Sequence, residues 1–231
     1  MIAWAIHIDE PIPYAKALRL QEALLAARIA ERIPDTIIYL QHTPVVTLGR
    51  RRRDEHLLLT PDQLAQRGVD YAEASRGGDV TYHAPGQLVM YPIIKLGTHD
   101  MDSHGHLWNL EQTAIDTAAG FGVPAYRREG MNGAWTDAGK ISAIGFRLKR
   151  WVTYHGMSFN VDVDLSGFNV IVPCGLIGEP ISSLSTILKE RCPSVAEVRS
   201  SMALHFESIA GRTQQLVAIA DLPDDVAEMC E

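Results

Sequence analysis

Nowhere in the 231-residue chain do apolar residues run uninterrupted far enough to cross a bilayer. Stretches such as VIV at 170–172 and LIG at 176–178 fall well short of the ~20 residues a helical span requires, so a membrane protein built on helices is not expected. The opening residues, MIAWAIHIDEPIP, carry neither a basic leader nor a small-residue cleavage site, so a soluble, cytoplasmic protein is expected. Cysteine is scarce. Cys174, Cys192 and Cys230 are an odd number without CxxC spacing, an arrangement that suits neither a disulfide framework nor a zinc ribbon and leaves reduced thiols as the expectation. Basic charge is short as well: a net charge of −7 gives no general attraction to nucleic acid, whose binding depends on neutralising phosphates. The local exception is RRRR at 50–53, which reads as a solvated loop or as a patch that docks an acidic protein. Repeats, low-complexity tracts and linkers are missing too, so one domain over 1–231 is expected, a size that single α/β domains of ~200 to 250 residues routinely reach.

What is present is material for a core. Hydrophobic residues make up 46% of the chain and charged residues 21%, the balance of an ordinary globular protein. A helix is predicted over 14–33, with Pro13 at its first turn and Pro34 beyond its end. Strands are predicted at 36–41 and 45–49, rich in β-branched residues, and at 69–73. A short helix follows Thr60, with Gln63 reaching back to the cap. VTYH, the turn APG and QLVMYPIIKL read as strand, tight loop, strand, and 106–122 has helical periodicity ending at glycine. KISAIGFRL and VTYHGMSFNV, joined by a short KR turn, predict a hairpin. Residues 169–172 read as the end of a buried strand, and 194–212 as a last helix with Ser194 and Glu197 as a capping box. Elements that alternate and then give way to hairpins indicate an α/β to α+β fold, a mixed sheet with helices on at least one face.

Three glycine-punctuated stretches set polar side chains in segments otherwise built for burial: RGGDVTYHAPGQ (76–87), AGKISAIGF (138–146) with YHGMSFN (154–160), and IVPCGL (171–176). Glycine there could let a ligand approach the backbone and leave N–H groups free for an oxyanion. Cys174 reads either as a small buried hydrophobe or as a nucleophile. The second role needs access, an activator that favours thiolate, and donors for a carbonyl oxygen. Gly175 and the amides after it could be those donors. Activators on offer are His83, His155 and Lys140, each with a bland alternative: a hydrogen-bonded structural histidine, or a strand-end lysine that snorkels to water. Partly desolvated beside a thiol, Lys140 could lower the thiol pKa when charged and accept a proton when neutral. THDMDSHGH (98–106) contains His99, His104 and His106 but matches no ligand spacing, and is expected to be a polar loop with no metal.

In order and spacing, RGGDVTYHAPGQLVMYPI, WTDAGKISAIGFRLKRWVTYHGMSFNV and FNVIVPCGL with ISSLS resemble the lipoyl(octanoyl) transferases, from about Thr36 to Leu184. The resemblance implies a fold like that of lipoate and biotin protein ligases, with a groove for an acyl chain and no cofactor. It implies transfer of an octanoyl group from octanoyl-acyl carrier protein to a lysine on the lipoyl domains of 2-oxoacid dehydrogenase complexes and on glycine cleavage H protein, by a monomer. Cys174 matches the nucleophile of an acyl-thioester intermediate and Lys140 its activator. Arg76, Gly77, Gly78, Asp79, Val80, Thr81, Tyr82 and His83 match the acyl-binding stretches, as do Ala143, Ile144, Gly145, His155, Gly156, Met157 and Ser158. Val80, Ile141, Ile144 and Met157 are expected as the apolar lining. One position departs: the family reads His-Gly-Pro-Gly-Gln where this chain has Ala84, at a cost on the order of 1 kcal/mol if its backbone is left-handed. The rival expectation is an ATP-dependent lipoate or biotin protein ligase, which needs no nucleophilic cysteine; a non-catalytic carrier-binding module is a third.

Overall fold

The computed structural model describes residues 1–97, 102–172 and 178–228. In chain order the strands are β1 (Ile2–His7), β2 (Thr36–Leu40), β3 (Val45–Leu48), β4 (Asp70–Glu73), β5 (Val80–His83), β6 (Gln87–Ile93), β7 (Tyr126–Arg128), β8 (Met131–Thr136), β9 (Gly139–Lys149), β10 (Val152–Asn160) and β11 (Thr213–Leu216). The helices are α1 (Tyr14–Ile29), α2 (Pro61–Ala65), α3 (Ser103–Gly120), α4 (Leu184–Leu188), α5 (Val195–Ala210) and α6 (Asp224–Ala227). Eight strands form one sheet in the order β11-β1-β2-β6-β10-β9-β8-β7, and β4-β3-β5 form a second. Parallel pairing of β1 with β2 and β11, beside antiparallel pairing of β6, β10, β9 and β8, makes the large sheet mixed.

Apolar residues fill both faces of the central strands, and their alternation decides which helix each one meets. Ile37, Tyr39, Leu88, Met90, Met157 and Phe159 pack with Leu110 and Ala114 of α3 and Met202 and Phe206 of α5. Their neighbours Ile38, Leu40, Val89, Tyr91, Val152 and Tyr154 pack on the opposite face with Leu20 and Leu24 of α1. Helices thus cover both faces, where the sequence had required only one. A third cluster, with Val46, Val80, Tyr82 and Phe168, fills the space between the small sheet and the 163–171 segment.

The predicted caps are present: Thr60 with Gln63 and Ser194 with Glu197 each form the reciprocal box. The hairpin is β9 and β10, paired from Lys149 with Val152 through to Ser142 with Phe159. Several boundaries move. α1 ends at Ile29 instead of 33, since Glu31 turns left-handed (φ 59°), and Pro13 stands one place earlier than expected, at the N-cap. α3 begins at Ser103 because the Asp102 carboxylate accepts from the His104 and Gly105 N–H groups. The strand expected at 169–172 does not form: Leu165–Val170 is 3-10 helical, capped by Asp164, and Ile171 makes a single bridge to Leu57. The cause is local. Gly167 lies so close to the Tyr82 ring that an added Cβ would meet it at 2.2 Å. Strands β1, β7, β8 and β11 were not predicted.

Candidate functional site

Lys140 sits at the start of β9, and glycine makes its position reachable. Gly139 has φ 130° and an added Cβ would meet Pro180 O at 2.4 Å, so only glycine lets the two backbones close up. They then pair, the Lys140 N–H donating to Pro180 O (2.9 Å) and the Ser182 N–H to Lys140 O (2.9 Å). Lys140 does not snorkel to water. The residue is 9% exposed, its Nζ 5.3 Å from the Trp135 ring centroid. Gly133 makes room for its stem, since a Cβ there would come within 2.9 Å of Lys140 Cε.

Cys174 lies outside the described residues. The chain before it is fixed at Val172, whose N–H donates to His56 O (2.8 Å), and the chain after it at Pro180 on Lys140. His56 and Lys140 border one open cleft with Arg50, Arg51, Arg53, Gly77 and Asp79. In that cleft the Asp79 carboxylate pairs with His56 Nδ1 and accepts the Arg53 N–H (3.1 Å), which ties the arginine turn to the site.

A narrow groove leads inward. Arg76, Gly78, Thr81, His83, Ala143, Ile144, Gly145, His155, Gly156, Met157 and Ser158 line it. Thr81, Ala143 and Ser158 also border the adjoining pocket that contains Lys140. Gly77 and Asp79 lie in the outer cleft instead. Val80 and Tyr82 turn away into the third core cluster, and Ile141 into the first, because alternate side chains of a strand point to opposite faces. The glycines serve the protein's own backbone: a Cβ on Gly145 would meet Gly77 O at 2.7 Å, and one on Gly156 would meet Met90 O at 2.2 Å. Tyr14, Val89 and Tyr91 also line the groove. The sequence reading missed them because α1 and β6 carry no glycine signal and reach the site only through packing. Ala84 is buried and outside the left-handed region, which in that turn is occupied by Gly86 (φ 88°), so its methyl carries no backbone penalty.

The histidines that line the groove or stand directly behind it are uncharged, and each is fixed by hydrogen bonds. His42 Nδ1 must donate to Ile12 O (3.1 Å), so its Nε2 accepts from the Tyr91 hydroxyl (2.7 Å). The Gln87 amide donates to Asn160 Oδ1 (2.9 Å), so its oxygen accepts the Nδ1–H of His83 (2.6 Å). Burial pushes His42 down to about 4 and His83 and His155 to about 3, with nearby Arg76 contributing for the latter two. All three are neutral imidazoles at pH 7. Arg76 is held by Thr47, its Nη2 donating to Thr47 O at 2.6 Å. Of THDMDSHGH, His99 lies outside the described residues, His104 is exposed, and His106 is buried edge-on against Phe146. Cys230 also lies outside the described residues, and Cys192 is a free thiol whose pKa burial raises.

The family described as lipoyl protein ligase A/B catalytic domain matches residues 13–207. The chain belongs to that family. Curated relatives include octanoyltransferases: that of Syntrophotalea carbinolica is 42% identical over 211 residues (91% of this chain, 96% of the relative). That of Chloroflexus aurantiacus is 41% identical over 218 residues (93% and 97%). The chain is accordingly an acyltransferase of the octanoyl-transfer branch of protein lipoylation. The fold recurs in lipoate-protein ligase A bound with ATP (TM-score 0.81, 14% identity, 100% of this chain and 93% of that one). It recurs also in an archaeal bi-partite lipoate protein ligase from Thermoplasma acidophilum, described together with its E2 lipoyl domain (TM-score 0.80, 15%, 100% and 91%).

Proposed function

We propose that the protein, a single catalytic domain over 1–231 acting as a cytoplasmic monomer, takes the octanoyl group of octanoyl-acyl carrier protein and passes it through an acyl-Cys174 thioester. The acceptors are lysines on lipoyl domains of 2-oxoacid dehydrogenase complexes and on glycine cleavage H protein. The observation that carries this reading is a buried lysine that borders both an open cleft and the pocket adjoining the groove, with the chain on either side of Cys174 fixed at His56 and Lys140.

Lys140 takes the Cys174 proton. The thiolate attacks the thioester carbonyl, the new C–S bond forms, the old one breaks, and the departing pantetheine sulfur takes the proton from the Lys140 ammonium. Exchange between thioesters is nearly balanced in energy, so catalysis consists of supplying a thiolate and stabilising the oxyanion. The acceptor amine next attacks the acyl-cysteine: C–N forms, C–S breaks, and the amine proton passes through Lys140 to the leaving thiolate. Each methylene buried in the groove contributes ~0.8 kcal/mol to holding the chain. Arg50, Arg51 and Arg53 at the cleft suit acidic carriers.

The wild-type protein incubated with octanoyl-acyl carrier protein should gain one octanoyl mass, and Cys174→Ser should not. A serine variant that still transfers octanoate at the wild-type rate would refute the thioester intermediate. Loading of free octanoate onto a lipoyl domain that requires ATP would favour the ligase alternative.

A further inference from the structure

Apolar and polar side chains line the groove together. Val89, Ala143, Ile144 and Met157 supply the first kind, while Tyr14, Arg76, His83 and His155 supply the second. A plain hydrocarbon satisfies only the first, because a buried polar group pressed against methylenes loses the hydrogen bonds it made to water.

The mismatch is greatest at Tyr14 and His155, which line the groove without bordering the pocket that contains Lys140. Ser75 Oγ donates to the Tyr154 hydroxyl (3.0 Å), so it accepts the Nε2–H of His155 (3.0 Å). That fixes the tautomer and leaves His155 Nδ1 as an acceptor. This nitrogen is buried without a hydrogen-bond partner among the described residues, as are the Tyr14 hydroxyl and Gln21 Nε2. Gln21 belongs to the same cluster, its Oε1 accepting the His155 N–H at 2.8 Å. His155 presents its ring from φ 57°, a left-handed backbone that strains a non-glycine residue and that surrounding structure must enforce. Two residues that line the groove away from Lys140 therefore each carry a buried polar atom without a partner among the described residues, one an acceptor and one a hydroxyl donor, and His155 is held there against a conformational cost.

We propose that this part of the groove is a polar subsite that takes the terminal hydroxyl of an ω-hydroxyacyl chain, Tyr14 donating to it and His155 Nδ1 accepting from it. The proposal rests on the acyl-transfer reading above and adds a class of substrate to it. A groove ending in apolar side chains would disfavour the hydroxylated chain by about 100-fold, the scale on which a hydrophobic pocket rejects an added hydroxyl.

The test compares octanoyl- and 8-hydroxyoctanoyl-acyl carrier protein as donors to a lipoyl domain, with kcat/KM read by mass spectrometry. The wild-type protein should use the hydroxylated donor within about threefold of the plain one, or better. Tyr14→Phe should lower the hydroxylated-to-plain ratio about tenfold, as expected when one hydrogen bond to a buried hydroxyl is lost. Discrimination of about 100-fold against the hydroxyl by the wild-type protein, with octanoyl transferred normally, overturns the subsite and leaves acyl transfer standing. Transfer of neither group overturns acyl transfer and the subsite together. A ratio unmoved by both Tyr14→Phe and His155→Asn overturns the assignment to these atoms.

Discussion

Lys140 is held by its backbone on Pro180 and Ser182, by its stem against Gly133, and by its ammonium over Trp135. Arginine there would keep the positive charge and lose the neutral form, because guanidinium stays protonated at any working pH. Lys140→Arg should therefore form the acyl adduct more readily than it forms the amide, with transfer to the lipoyl domain reduced on the order of 100-fold or more, the usual contribution of a positioned proton acceptor. Single-turnover kinetics of the two steps separates them; unchanged amide formation would remove Lys140 from that role. Residue identity hinted at this lysine but could not choose between a solvated strand end and a buried side chain. The choice came from the Gly139 and Gly133 contacts, which are made by residues from different segments.

At the scale of the element, strand alternation sorts the RGGDVTYH stretch. Thr81 and His83 face the groove, Val80 and Tyr82 face the core, and Asp79 stays in the outer cleft. The stretch was legible as a site; the division within it was not, because the sequence says that neighbours alternate without saying which parity faces inward. The arginine turn is a second such element. Asp79 accepts the Arg53 N–H, and Arg50, Arg51 and Arg53 border the cleft that holds Lys140. Reversing the charges of Arg50 and Arg51 should raise KM for an acidic carrier about tenfold at low salt and much less at high salt, since exposed charges are screened within ~10 Å at 0.1 M. Equal KM values at low salt would show that carriers dock elsewhere.

For the whole molecule, the buried histidines set how it tolerates acid. His42, held at about 4, and His83, His106 and His155, each at about 3, are neutral when folded and titrate near 6.5 when unfolded. Below pH 6.5 the unfolded chain binds the protons that the native state refuses. Their contribution is complete above that pH and is lost as pH falls toward 4 and then 3, by up to about 1.4 kcal/mol per pH unit for each ring. Urea midpoints should drop steeply from pH 6.5 to 5; a flat profile over that interval would contradict neutral burial. The sequence alone determined the caps, the hairpin and the mixed sheet, and it marked two of the stretches that line the groove and the cleft, because capping, turn and alternation rules act over a few neighbouring residues. It could not supply the β1 and β11 edge of the sheet, the 3-10 turn before Cys174, or the approach of Tyr14 and Tyr91 to His155. Those depend on pairings between residues far apart in the chain, and only closure of the tertiary structure brings them together.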